Sequence, residues 1–363
     1  MKKFTIDPDI TTAFTLDSAF YNDAAAFDLA REKIFTKTWQ WTGALDDVKQ
    51  TGSVVPREIL PGLLSEPVLL ARDEADQLHC LSNVCTHRGN ILVQEPCSKA
   101  KSLRCSYHGR RFDLAGKMLS MPEFSEAKNF PSDMDNLPQV PFSAWKNHGF
   151  AALSPIAPLE EFLAEVTERL HWMPIETFVH DPSRDHNFLL DANWALYIEN
   201  YLEGFHIPFV HPGLNAVVEY ASYGSEIGRY ANLQLALAKQ GESAFEIPPG
   251  SKDHGKRVAA YYYWVFPNLM LNFYAWGLSL NIIEPLARDK TRISFRSFVW
   301  DESKLDKGAG SSLDQVEMED EAVVMAVQRG VRSRFYQHGR YSPSREQGTH
   351  HFHQLICEFM NRC

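Results

Sequence analysis

Two short stretches constrain this chain more than any others. They are Cys85-Thr86-His87 and Cys105-Ser106-Tyr107-His108, with 17 residues, 88 to 104, between them. Each sets a thiol close to an imidazole, and Gly89 and Gly109 follow closely, which suits tight loops that bring the backbone near a metal-bound sulfur. Two thiolates and two imidazoles can hold zinc, or a two-iron, two-sulfide cluster with both Cys on one iron and both His on the other. Zinc fingers usually pair Cys with Cys and His with His along the chain. Here each stretch mixes the types, so each loop would reach across both metals of a cluster.

The rest of the composition agrees. The six cysteines are Cys80, Cys85, Cys97, Cys105, Cys357 and Cys363. In a long chain without an export signal a disulfide framework is not expected, and the clustered Cys/His pairs read as metal ligands. Cys80 and Cys97 fall outside the pattern and are expected to be small buried apolar residues. The 363 residues, 44% of them apolar, are enough for two domains with sizeable cores. A formal net charge of −10 argues against a nucleic-acid or anionic-membrane partner. No apolar run approaches the roughly 18 residues of a membrane span, and MKKFTIDPDITTAF lacks the apolar core of a signal peptide. The expected location is the cytoplasm.

A second constellation lies in NWALYIENYLEGFHIPFVHPGLN, residues 193 to 215, which offers Glu199, Glu203, His206 and His211. Glu203 and His206 fall about 60° apart on a helix, but His206 and His211 are about 140° apart, too far for one metal on a regular helix. Pro208 and Pro212 can break that regularity, and a distorted turn such as a π-bulge would bring the imidazoles together. Two His and one carboxylate make the facial triad of iron oxygenases. The predicted helix at 311–330 offers Glu317, Glu319, Asp320 and Glu321 as that carboxylate.

Together these patterns resemble the Rieske-type non-haem iron oxygenases. The first matches the family's C-x-H-R-G and C-x-Y-H-G with F-D-x-x-G, here CTHRG and CSYHGRRFDLAG. The second matches its iron motif, here ENYLEGFHIPFVH after Asn193-Trp194, then Glu319-Asp320 ahead of Gln328-Arg329-Gly330. The resemblance runs from about Phe20 to Phe359. It implies a Rieske [2Fe–2S] cluster on Cys85, His87, Cys105 and His108. It implies a mononuclear Fe(II) on His206, His211 and Asp320, with Glu203 and Asn193 in the catalytic set. Glu203 would bridge the iron site and a cluster His, His108, of a neighbouring subunit in a head-to-tail homotrimer. Many members carry Trp where this chain has Arg110. Most carry Asp where it has Glu203, and Glu there is similar to members acting on choline, carnitine or betaines.

The implied fold is α+β: an all-β Rieske domain, then a helix-grip catalytic domain whose antiparallel sheet wraps a long helix. The expected boundaries are a helical segment over 1–40, the Rieske domain over 41–155 and the catalytic domain over 156–363. Within the last, the aromatic run 261–277 is expected to be sheet core, with Asn272, Tyr274 and Trp276 lining a substrate pocket. No G-x-G-x-x-G follows a strand, so NAD(P)H acts only through a separate ferredoxin or flavin reductase. Seven basic residues between Arg88 and Lys117, including Arg110, against Glu95 and Asp113, suggest a docking patch for that donor. His350, His351 and His353 are expected to be structural. The implied activity is hydroxylation, or N-demethylation, of a small quaternary ammonium compound. The alternatives are an aromatic acid or ether as substrate, a pure Rieske electron carrier, or a zinc-bearing binding module.

Overall fold

The computed structural model describes residues 3–220, 223–310 and 313–362, so the first two residues of the helix expected at 311–330 lie outside it. The chain divides into two units, Thr36–Ile156 and Met1–Phe35 with Ala157–Cys363.

The first unit holds three antiparallel sheets. Their strands are β1 (Gln40–Ala44), β2 (Val54–Ile59), β3 (Glu66–Arg72), β4 (Leu78–Ser82), β5 (Leu103–Arg104), β6 (Arg111–Phe112), β7 (Met118–Ser120), β8 (Phe142–Trp145) and β9 (His148–Ala151). They pair in the orders β1-β9-β8, β2-β3-β4 and β5-β6-β7. The strands expected in SEPVLLARD and QLHCLSNV are β3 and β4. Leu69, Leu81, Leu103, Phe112 and Leu114 form a core with Cys85 and Cys105, so both thiols sit on the apolar side of their loops. Cys80 is buried as expected, but Cys97 is exposed. It lies in a loop whose backbone bridges to Val54, so its main chain, not its thiol, does the structural work.

The second unit begins with α1 (Ala19–Asn22) and α2 (Ala24–Lys33). The alanine-rich start of α2 favours helix, and the Asp23 side chain accepts a hydrogen bond from the Ala25 N–H, capping it. The helix expected in PLEEFLAEVTERLHWM is split into α3 (Leu159–Phe162) and α4 (Ala164–Arg169). Eight strands follow in one antiparallel sheet: β10 (Val179–His180), β11 (His186–Leu190), β12 (Gly224–Ile227), β13 (Ala231–Leu237), β14 (Val258–Val265), β15 (Leu269–Tyr274), β16 (Gly277–Ala287) and β17 (Lys290–Val299). Every residue of β14 and β15 is buried, as the aromatic run predicted. The remaining helices are α5 (Trp194–Tyr201), α6 (Ile207–Val210), α7 (Pro212–Val217), α8 (Leu313–Val331) and α9 (Gln347–Met360). Phe352 of α9 packs edge-on to Trp264 of β14 and Trp194 of α5, with ring centroids 5.2 and 5.7 Å apart. This contact joins sheet and helices in the manner of a helix grip. α5 also packs on α8, which brings the His-bearing segment and the acidic helix together. Among the described residues, no helix is long and apolar enough to cross a membrane.

Candidate metal centres

The two Cys/His loops of the first unit fold alike. The Cys85 N–H donates to the Asn90 carbonyl at 2.8 Å, and the Gly89 N–H donates to the Cys85 carbonyl at 3.0 Å. Cys105, Arg110 and Gly109 repeat both bonds at 2.8 and 3.0 Å. Each turn needs a residue with positive φ, which Gly89 (+70°) and Gly109 (+76°) supply without strain. The His87 and His108 rings meet at 4.7 Å, and the exposed Tyr107 ring stacks on His108 at 3.7 Å. Cysteines point inward and histidines outward, the polarity a cluster with one sulfur-bound and one nitrogen-bound iron requires. Burial raises the Cys85 thiol. At Cys105 burial opposes the thiolate too, but the N–H groups of Tyr107 and His108 outweigh it and hold the thiol below its ordinary range.

Arg110 is buried beside these loops, so it cannot belong to a surface docking patch. The other six basic residues between Arg88 and Lys117 are exposed. The Arg110 guanidinium donates to Thr86 Oγ1 at 2.7 Å and to Asp135 Oδ1 at 3.2 Å, and it lies 5.9 and 5.3 Å from the Phe124 and Phe130 ring centres. It fills an aromatic-lined space by cation–π contact while tying the first cluster loop to Asp135. Sequence pattern marked Arg110 as a departure but gave no sign of these partners.

In the second unit the metal-binding segment is not one distorted helix with a π-bulge. It breaks into α5, α6 and α7. A proline cannot continue a helix through its N–H, so Pro208 and Pro212 each sit in the first turn of a new one. His206 precedes α6, and His211 joins α6 to α7. This aims both rings at one point. His206 Nε2 and His211 Nε2 are 3.1 Å apart, and Asp320 Oδ1 of α8 lies 3.5 and 3.0 Å from them. Among the described residues, this is the one group of three or more potential ligands whose atoms converge within 4.8 Å.

Each ring's other nitrogen is held by a carboxylate. His206 Nδ1 donates to Glu203 Oε1 at 2.7 Å, and His211 Nδ1 donates to Glu319 Oε2 at 2.7 Å. Both Nε2 lone pairs therefore face each other with an anionic oxygen beside them. That arrangement repels itself unless a cation sits between, so the donor set fits a divalent metal in a two-His, one-carboxylate site. At His211, burial disfavours the charged imidazole, but Asp320 and Glu319 outweigh it and raise its pKa. Of the four acidic candidates on α8, then, Asp320 meets the triad and Glu319 orients His211. Glu317, one turn before Asp320, lines the neighbouring cavity and accepts from the Tyr197 hydroxyl at 2.6 Å. Glu321 does not line that cavity. Glu199 turns away to Tyr21 and His353.

The cavity beside the triad is compact, about 110 Å³, well below the roughly 300–1,000 Å³ of sites for drug-sized ligands. Tyr201, Tyr223, Tyr262 and Tyr274 line it, with Asn272 in the wall. Trp276 does not line it. It stacks behind Tyr274, centroids 5.4 Å and planes 14° apart, and so supports the wall without forming it. Asn193 is also elsewhere. Its side chain caps α5 through the Ala195 N–H and donates to the Arg288 carbonyl at 2.8 Å, while its own N–H donates to Gln328. These bonds make it a positioning residue for α5, not a group at the reacting centre. His350, His351 and His353 bond to the Asp7 carbonyl, to Asn232 and to Tyr341, as structural histidines do.

Fold and ligand sets define a Rieske-type non-haem iron oxygenase. The chain belongs to the ring hydroxylating alpha subunit family, matching its catalytic domain over residues 169–362 and the Rieske [2Fe-2S] domain over residues 38–131. It is therefore an oxidoreductase whose cofactors are the Rieske cluster and a mononuclear iron, supplied with electrons by a separate protein. It is 28% identical to the chloroplastic choline monooxygenase of Arabidopsis thaliana, over 96% of this chain and 84% of that one. It is also 28% identical to the carnitine monooxygenase oxygenase subunit of Escherichia coli strain K12, over 95% and 94%. Its fold matches the crystal structure of the quaternary ammonium Rieske monooxygenase CntA with L-carnitine, at a TM-score of 0.77 and 20% identity over 98% and 97% of the chains.

Proposed function

We propose that this chain hydroxylates a small quaternary ammonium compound, with N-demethylation as one outcome, in the cytoplasm and as a homotrimer. The observation that carries the reading is the tyrosine-lined cavity next to His206, His211 and Asp320. A quaternary nitrogen cannot donate a hydrogen bond, and aromatic faces hold it by cation–π attraction of about 0.5–2 kcal/mol each. The choline and carnitine monooxygenases named above act on compounds with a quaternary ammonium head, which supports the same class here.

In this reading Cys85, His87, Cys105 and His108 hold the cluster, and His206, His211 and Asp320 hold the iron. When bound, these centres supply one-electron transfer and O₂ activation. Glu203 keeps the His206 Nδ1 proton in place and, as the resemblance implies, links to a cluster His of the next subunit. The exposed basic residues around the cluster loops suit docking of an acidic ferredoxin or a flavin reductase. The test follows oxygen uptake together with product for choline, carnitine and betaines against vanillate-like aromatic acids, with a surrogate reductase. Coupled turnover of ammonium compounds is expected. Coupled turnover of aromatic acids alone would contradict the substrate class.

A further inference from the structure

The charge and hydrogen-bonding character of the cavity wall narrow the substrate beyond a quaternary head. Three carboxylates line it, Glu203, Glu317 and Asp320, and among the described residues no lysine or arginine does. Arg345 lies close by but is spent elsewhere, donating to the Tyr223 carbonyl at 3.1 Å and lying over the Tyr220 ring at 4.5 Å. A cationic head suits a wall of this composition, and no described basic side chain stands there to meet an anionic tail. A zwitterion adds a fourth carboxylate with no cation to meet it, a costly arrangement in a partly desolvated site.

An independent feature concerns the other end of the substrate. Gln234 of β13 is 1% exposed and lines the cavity. Its Nε2 donates to the Tyr201 carbonyl, which fixes the amide's orientation. Its Oε1 is buried and has no hydrogen-bond partner. Such an acceptor needs a donor. A hydroxyl can donate to it, and a carboxylate cannot.

We infer that the cavity selects a small quaternary ammonium alcohol over the corresponding carboxylate, with Gln234 Oε1 accepting from the hydroxyl and the acidic wall balancing the charge. The inference rests on the proposed ammonium-binding role of this site and adds the identity of the tail.

The test uses anaerobic holoenzyme and calorimetric Kd values for choline, glycine betaine and tetramethylammonium, which share a methylated head and differ in tail. Choline is expected to bind about tenfold tighter than glycine betaine. Gln234→Met removes the acceptor, so it should weaken choline about 3- to 10-fold. It should leave tetramethylammonium, which has no hydroxyl, unchanged. Glycine betaine binding as tightly as choline to the unaltered enzyme overturns the inference, and that comparison needs no variant. So does an equal loss for choline and tetramethylammonium in Gln234→Met. Failure of all three compounds to bind would instead sink the ammonium-site reading itself.

Discussion

Single side chains in this protein act mainly by holding another side chain. Glu203 holds the His206 ring, accepting from its Nδ1, and also accepts from the backbone N–H groups of Phe205 and His206. Glu203→Gln keeps the shape and removes the charge. Both metals should stay bound, while product formation falls about 10- to 100-fold, the scale lost when a group that orients a metal ligand is changed. Rapid-mixing spectroscopy of the pre-reduced cluster should then show slow reoxidation by O₂ with substrate present; reoxidation at the normal rate would remove Glu203 from the electron path. At the cavity wall, Tyr274→Ala removes one aromatic face and should raise KM for the ammonium substrate about 2- to 30-fold, with kcat changed less. An unchanged KM would take Tyr274 out of the binding site. Metal chemistry restricts which side chains can serve, so the residue pattern offered His206, His211 and a set of carboxylates, and the family resemblance picked Glu203 and Asp320 from that set. Together they misplaced Trp276 and Asn193, since whether a ring forms a wall or backs it, and whether an amide caps or reacts, depends on neighbours distant in sequence.

Among the elements, the interrupted helix α5–α6–α7 decides whether an iron site exists. The segment after α5 turns at Gly204, where a Cβ would meet the Tyr223 ring at 2.3 Å. Gly204→Ala should therefore push α6 and Tyr223 apart, costing about 1–3 kcal/mol of stability and lowering mononuclear iron content, while the cluster's visible absorption remains. Iron analysis and thermal unfolding check both; a variant with normal iron and an unchanged Tm would show that the turn yields freely. The sequence showed that a regular helix could not aim both histidines, and its prolines showed why. It did not distinguish a bulge from two new helix starts, because periodicity reports angles along one axis and the axis itself changes here. Strands β3, β4, β14 and β15 were legible because each is a run of apolar or aromatic residues. The break between α3 and α4 was not, as Leu163 continues the apolar spacing across it.

At the scale of the whole molecule, α9 carries histidines into the core, and the half-buried His351 makes stability depend on pH. Burial, then the nearby Arg229, lowers the His351 pKa from 6.5 to about 4. The folded state keeps this imidazole neutral, and the unfolded chain protonates it below pH 6.5. Its stabilising contribution is thus complete above pH 6.5 and is lost as pH falls toward 4, by about 3 kcal/mol in all. His351→Gln should make Tm less steeply dependent on pH between 7 and 4.5 than in the unaltered protein; parallel curves would contradict this. The protein's activity depends on two metal centres of different kinds in one chain. Metal and acid-labile sulfide analysis of freshly prepared protein, beside Asp320→Ala, tests that claim most directly. The unaltered chain should hold about three irons and about two sulfides, and the variant should lose about one iron while keeping its sulfide and its red-brown colour. Stoichiometric zinc without sulfide, or a variant that keeps all its iron, would contradict it.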